Sequence, residues 1–130
     1  MARLTAHQVN ELAGHFLAVA QAIGDYRYQN FDTLTKAQNR RLRESHKRVL
    51  DYSDAMYTRS AILVMENTQS ALTQVAELAE QIMGSYTALQ NVHKAIDIAS
   101  STVTLGASIF SKNPQAILNS IEKLRQTIKA

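Results

Sequence analysis

A chain of 130 residues with 45% hydrophobic and 19% charged side chains is long enough to bury a core without staples and too apolar to stay disordered. It has no cysteine, which excludes disulfides, thiolate metal sites and cysteine nucleophiles, and a net charge of +3 is too small by itself to demand nucleic acid or anionic lipid. One Pro, four Gly and a 6% aromatic share favour long helices over many short strands, so an all-α fold in a single domain over residues 1–130 is expected.

The first helix is expected to start at Thr5, with Gln8 three residues on completing a capping box. Val9, Leu12, Phe16, Val19 and Ile23 form its apolar stripe. Gly24 suits a left-handed C-cap, leaving residues 25–31 as a loop. A second helix then begins at Asp32 or Thr33 and meets no Gly or Pro up to Gln81. Leu42, Val49, Met56 and Leu63 recur every seven residues. That phase does not run into the next seam, which is Leu72, Val75, Ala79, Ile82, Tyr86, Leu89, Ile96 and Val103. The change predicts a turn near Glu66–Thr68 and two long helices of about 48 Å each, folded as an antiparallel hairpin.

Ala71, Ala76, Leu78 and Met83 widen the second seam beyond a simple zipper edge, as in a multi-helix bundle. Ser100, Ser101, Thr102, Thr104 and Gly106 predict a bend or frayed end. Asn113-Pro114 marks a last helix with Ile117, Ile121, Leu124 and Ile128 on its apolar face. The expected architecture is a bundle of about four helices, two long central ones with shorter helices at the N- and C-terminal ends.

Charge is unevenly spread. Residues 33–65 carry seven basic and three acidic side chains, hence +4, and residues 66–100 carry four acidic and one basic, hence −3. Such helices suit one another as neighbours, although exposed pairs contribute only about 0–1 kcal/mol each. Lys36, Arg40, Arg43 and Lys47 are spaced to share a helix face, with Arg41 and Arg48 beside it. A face of this kind binds phosphate backbones or acidic proteins. Glu44 interrupts it, and no aromatic lies within 36–48 to stack a base. The plain alternative is a solvated face partly neutralised by the acidic helix.

Within this stretch, Arg41-Leu42-Arg43-Glu44-Ser45-His46 is similar to the Arg-x4-His motif of HEPN-type ribonucleases, which are small helical bundles. The resemblance covers these two residues and implies Arg41 and His46 acting on an RNA phosphate. Leu42 departs from that family's pattern, which prefers a polar residue after the Arg.

His7, Glu11 and His15 recur every four residues on the first helix. They would need a further ligand from another helix to hold zinc or a similar ion, so neither a metal nor another cofactor is expected. His93 lies in the seam between Leu89 and Ile96, where a hydrogen-bonded boundary role is expected and a pH-sensitive element is the alternative. Ala61-Ile62-Leu63-Val64-Met65 is apolar on every side of a helix at the proposed hairpin tip, and residues 98–111 are fourteen without a charge. Both segments suit a protein contact or insertion into a membrane, although fourteen residues are too few to span one as a helix.

The chain has no G-x-S-x-G, P-loop, dinucleotide glycine pattern or di-iron carboxylate–histidine repeat, so no reaction suggests itself. The expectation is a non-enzymatic bundle that associates with a protein partner, copies of itself included, through helix faces and the Ile62, Leu63, Val64 and Met65 tip. RNA binding or cleavage through the basic helix, and membrane action as a toxin component, are the alternatives. Met1–Thr5 carries no apolar leader, which with the lack of cysteine leads to an expected cytoplasmic location.

Overall fold

The computed structural model describes residues 2–58, 64–65, 68–89, 91–111 and 113–129. Among the described residues the chain forms β1 (Ala2–Arg3), α1 (Ala6–Gln29), one 3-10 turn (Phe31–Thr33), α2 (Lys36–Thr58), β2 (Val64–Met65), α3 (Thr68–Ala88), α4 (Val92–Phe110) and α5 (Pro114–Lys129). The fold is all-α apart from the two-residue antiparallel ladder, which pairs Ala2 with Met65 and Arg3 with Val64. Among the described residues there are five helices rather than about four.

Local chemistry sets the helix starts. Thr5 Oγ1 accepts from the Gln8 amide at 3.1 Å while Gln8 Oε1 accepts from the Thr5 amide at 2.9 Å, which satisfies two otherwise orphaned donors. The same reciprocal box, Thr35 with Gln38, opens α2. It moves the start from Asp32 or Thr33 to Lys36, with the 3-10 turn filling the interval. Asn91 caps α4 by accepting from the Lys94 amide. Asn113 caps α5 by accepting from the amides of Gln115 and Ala116, with Pro114 in the first helical position where its missing N–H costs nothing.

Two expected helix ends are corrected. α1 does not stop at Gly24 but continues to Gln29, which carries its buried stripe on to Tyr26. Gly24 instead lets the backbones of α1 and α2 approach, because the His46 ring fills the space that a Cβ would need. α4 neither bends nor frays near residues 100–106. Its hydroxyls return to their own helix, Thr102 Oγ1 to the Ile98 carbonyl at 2.9 Å and Ser108 Oγ to the Leu105 carbonyl at 2.7 Å, so these side chains bring their own acceptors into the core.

The antiparallel hairpin of two long helices is also overturned. The 72–103 seam is split between α3 and α4 at Leu89–Asn91, just before His93, where the apolar repeat meets a polar residue. The second helix ends at Thr58 and not at residue 65. α2 packs on α1 and α4, α3 packs on α1 and α5, and α4 packs on α5. The order around the bundle is therefore α1, α2, α4, α5, α3. α1 and α2 run antiparallel, as shown by the Ser53 hydroxyl donating to the Ala13 carbonyl and Arg27 donating to Asn39. α2 and α4 run parallel, since Arg41, Ser45 and Arg48 line one groove with Ile96, Ser100 and Val103.

One apolar cluster joins all five helices. It contains the seam residues Leu72, Val75, Ala79, Ile82 and Tyr86, the heptad positions Leu42, Val49 and Met56, and the last-helix positions Ile117, Ile121 and Leu124. The seven-residue repeat of α2 thus faces the core as its spacing predicts.

Candidate functional site

The basic positions of α2 lie outward, and the helix geometry divides them. Taking about 100° per residue, Lys36, Arg40, Arg43 and Lys47 span an arc of roughly 60°, while Arg41 and Arg48 lie about 120° further round. The first row lies roughly 90° round the helix from Asn39, His46 and Ser53, which face α1. The second borders α4, where Arg41 and Arg48 line a cleft of about 120 Å³ together with Ser45 and Ser100. All six cations are exposed.

Among the described residues no cation of α2 pairs with a carboxylate of α3 or α4. Lys47 pairs with Asp51 within α2 at 2.9 Å, and Lys36, Arg40, Arg41, Arg43 and Arg48 form no ion pair among the described residues. α3, which carries the exposed carboxylates Glu77 and Glu80, sits two places away around the bundle, with α1 between it and α2. Two oppositely charged faces are therefore presented separately by one molecule.

Aromatic side chains, absent from positions 36–48, come from the end of α1. Tyr28 and Phe31 are 84% and 53% exposed. The Arg27 guanidinium lies 5.8 Å from the Phe31 ring centroid and donates to Asn39 Oδ1 at 2.6 Å, which sets Phe31 level with the first turns of α2. Chain order separates them from the basic row by several residues, so spacing along the sequence could not show the juxtaposition.

Arg41 and His46 do not share a site. Five residues apart on a helix is about 140° of rotation, and Arg41 borders α4 while His46 packs against Gly24 of α1. His7 pairs with Glu11, whereas His15 turns toward Phe16, Val75 and Leu124 in the bundle interior. Among the described residues no group of three His, Asp or Glu side chains is placed to hold a metal. His93 is exposed rather than in the seam, because α4 begins anew at Val92 and does not continue the phase of α3.

Ile62 and Leu63 of the expected apolar tip lie outside the described residues, while the backbone of Val64 and Met65 is paired with the N-terminal strand. The uncharged stretch 98–111 is largely core, with Ile98, Ala99, Leu105 and Ile109 buried. Among the described residues no helix is long and apolar enough to cross a membrane.

Tyr26 and Tyr86 form an aromatic pair between α1 and α3, their ring centroids 5.3 Å apart. The Tyr86 hydroxyl donates to the Ala95 carbonyl at 2.6 Å, tying the end of α3 to α4. Burial raises both phenols above their ordinary pKa, and for Tyr86 the nearby Tyr26 adds to the rise. Comparison with protein-family models, curated proteins and solved structures found no match for this chain.

Proposed function

We propose that the protein is a non-enzymatic association module that receives an acidic helix face, that of another copy of its own chain included, on the outer arc of α2. The observation supporting this reading is that five of the six cations on that arc have no ion-pair partner among the described residues. Glu77 and Glu80 stand exposed on a helix that does not pack against it. The arc of one copy complements α3 of the next. Such a contact joins two different faces, so it repeats into a ring or a chain instead of closing as a two-fold dimer.

Exposed pairs contribute about 0–1 kcal/mol each, so several must act together and the assembly weakens as salt screens them. Mass photometry and light scattering across a salt series measure this. Reversing charge with Lys36→Glu and Arg43→Glu, or with Glu77→Lys and Glu80→Lys, is expected to give monomers, and mixing the two variants should restore association. A strict monomer at high protein concentration and low salt refutes self-association.

A second reading, single-stranded RNA on the same arc, is favoured by the exposed rings of Tyr28 and Phe31 at the end of α1, which packs on α2. Fluorescence anisotropy at low salt, where phosphate contacts are strongest, decides it. Cleavage by Arg41 and His46 is not favoured, since their different sides of α2 give them no common phosphate.

A further inference from the structure

A separate cleft of about 500 Å³ opens between α4 and α5, a volume within the usual range for small-molecule sites. Lys94 of α4 and Lys123 of α5 line it, with His93 on the α4 side. Hydroxyls contribute the rest of its character. Ser101 is buried, and its Oγ lies 3.4 Å from Thr127 Oγ1 across the two helices. Every side chain that lines it is polar or charged.

Ser100 lines this cleft and also the smaller one between α2 and α4, where Arg41 and Arg48 stand. The two adjoin across α4. Together they draw four fixed cations from three helices, against the carboxylates of Asp97 and Glu44. Ammonium and guanidinium groups set apart, with hydroxyl donors between them, suit an anion whose charge is extended along its length rather than concentrated at one atom.

We propose that this cleft binds a small ligand carrying two or more linked phosphates, with one end held by Lys94 and Lys123 and the other reaching past Ser100 to Arg41 and Arg48. The site excludes Lys36, Arg40, Arg43 and Lys47 but shares Arg41 and Arg48 with the arc of the association reading, and charge reversal at Lys36 and Arg43 distinguishes the two.

Isothermal titration calorimetry of the full chain at low salt, using inorganic orthophosphate, pyrophosphate and tripolyphosphate, tests it. Affinity is expected to rise with phosphate number. Lys123→Glu should weaken tripolyphosphate binding by roughly tenfold or more, through loss of a charge-assisted contact and added repulsion. Arg48→Ala should weaken tripolyphosphate several-fold and leave orthophosphate unchanged, while Lys36→Glu with Arg43→Glu should change neither. These side chains are exposed, and unchanged melting temperatures will show that each variant folds. The proposal is overturned if tripolyphosphate gives no binding. It is equally overturned if citrate binds as tightly, or if the Lys36 and Arg43 reversal costs as much as Lys123→Glu, because either result means diffuse attraction to positive charge.

Discussion

Gly106→Ala is expected to destabilise the bundle, although the same change on α3 should stabilise it. Gly106 is buried on α4 where that helix meets α2. A Cβ at this position would lie 2.8 Å from Cγ and 2.9 Å from Cε2 of Tyr52, well inside the normal carbon–carbon separation of about 3.5–4.0 Å. Tyr52 has little room to withdraw, since its ring is half-buried and stacks on Phe110 with centroids 6.0 Å apart. Helix propensity favours Ala over Gly by about 1 kcal/mol, and overpacking costs about 1–3 kcal/mol. With the ring half-buried and stacked on Phe110, the upper part of that range applies and the net loss is about 1–2 kcal/mol. Gly84 is the control, exposed on α3 with nothing within 4 Å of the position a Cβ would take. Gly84→Ala should therefore gain about 1 kcal/mol. Urea unfolding followed by circular dichroism should separate the two variants by about 2–3 kcal/mol, equivalent to roughly 6–15 °C in Tm. The reasoning is refuted if both changes have the same sign. It also fails if Gly106→Ala remains costly in a Tyr52→Ala background, where the obstructing ring is gone.

The tyrosine pair separates two kinds of polar burial. The Tyr26 hydroxyl is buried without a hydrogen-bond partner among the described residues, so Tyr26→Phe should be neutral or stabilising, whereas Tyr86→Phe should lose about 1 kcal/mol with its bond to Ala95. The opposite order in urea midpoints would contradict this. Both phenols have pKa values raised in the folded state. Their contribution is therefore fully present below the unfolded value of about 10 and is lost as pH rises beyond it, when unfolded tyrosines ionise first. Stability should fall on the alkaline side, and Tyr86→Phe should flatten that fall in unfolding curves taken from about pH 8 to 11. Ser53→Ala removes a buried donor to the Ala13 carbonyl at 2.8 Å and should cost about 1 kcal/mol. An unchanged midpoint would show that this bond does not help hold α1 to α2.

Features that depend on neighbours within a turn or two were legible in the chain itself. The Thr5–Gln8 box and the Asn113-Pro114 start need only three or four residues to make their bonds. The stripes of α1, α2 and α5 follow from the helix period, which brings residues three and four apart onto one side whatever lies opposite. The basic residues of α2 were legible for the same reason, because charged side chains with no buried partner stay on the wet face.

Tertiary structure decided what those faces meet. Gly24 has the local chemistry of a helix end, yet α1 continues through it because His46, twenty-two positions away in the sequence, packs where a side chain would be. A heptad seam does not say which helix covers it, so the separation of α2 from α3 required the packing of all five helices around one core. That separation keeps Glu77 and Glu80 of α3 away from the cations of α2. The new start of α4 at Val92 likewise leaves His93 out of the core and in the cleft with Lys123. Caps, stripes and charge rows are set by contacts close along the chain. The choice of neighbour, the split of the basic row and the cleft depend on competition for buried area across the whole bundle, which no local pattern records.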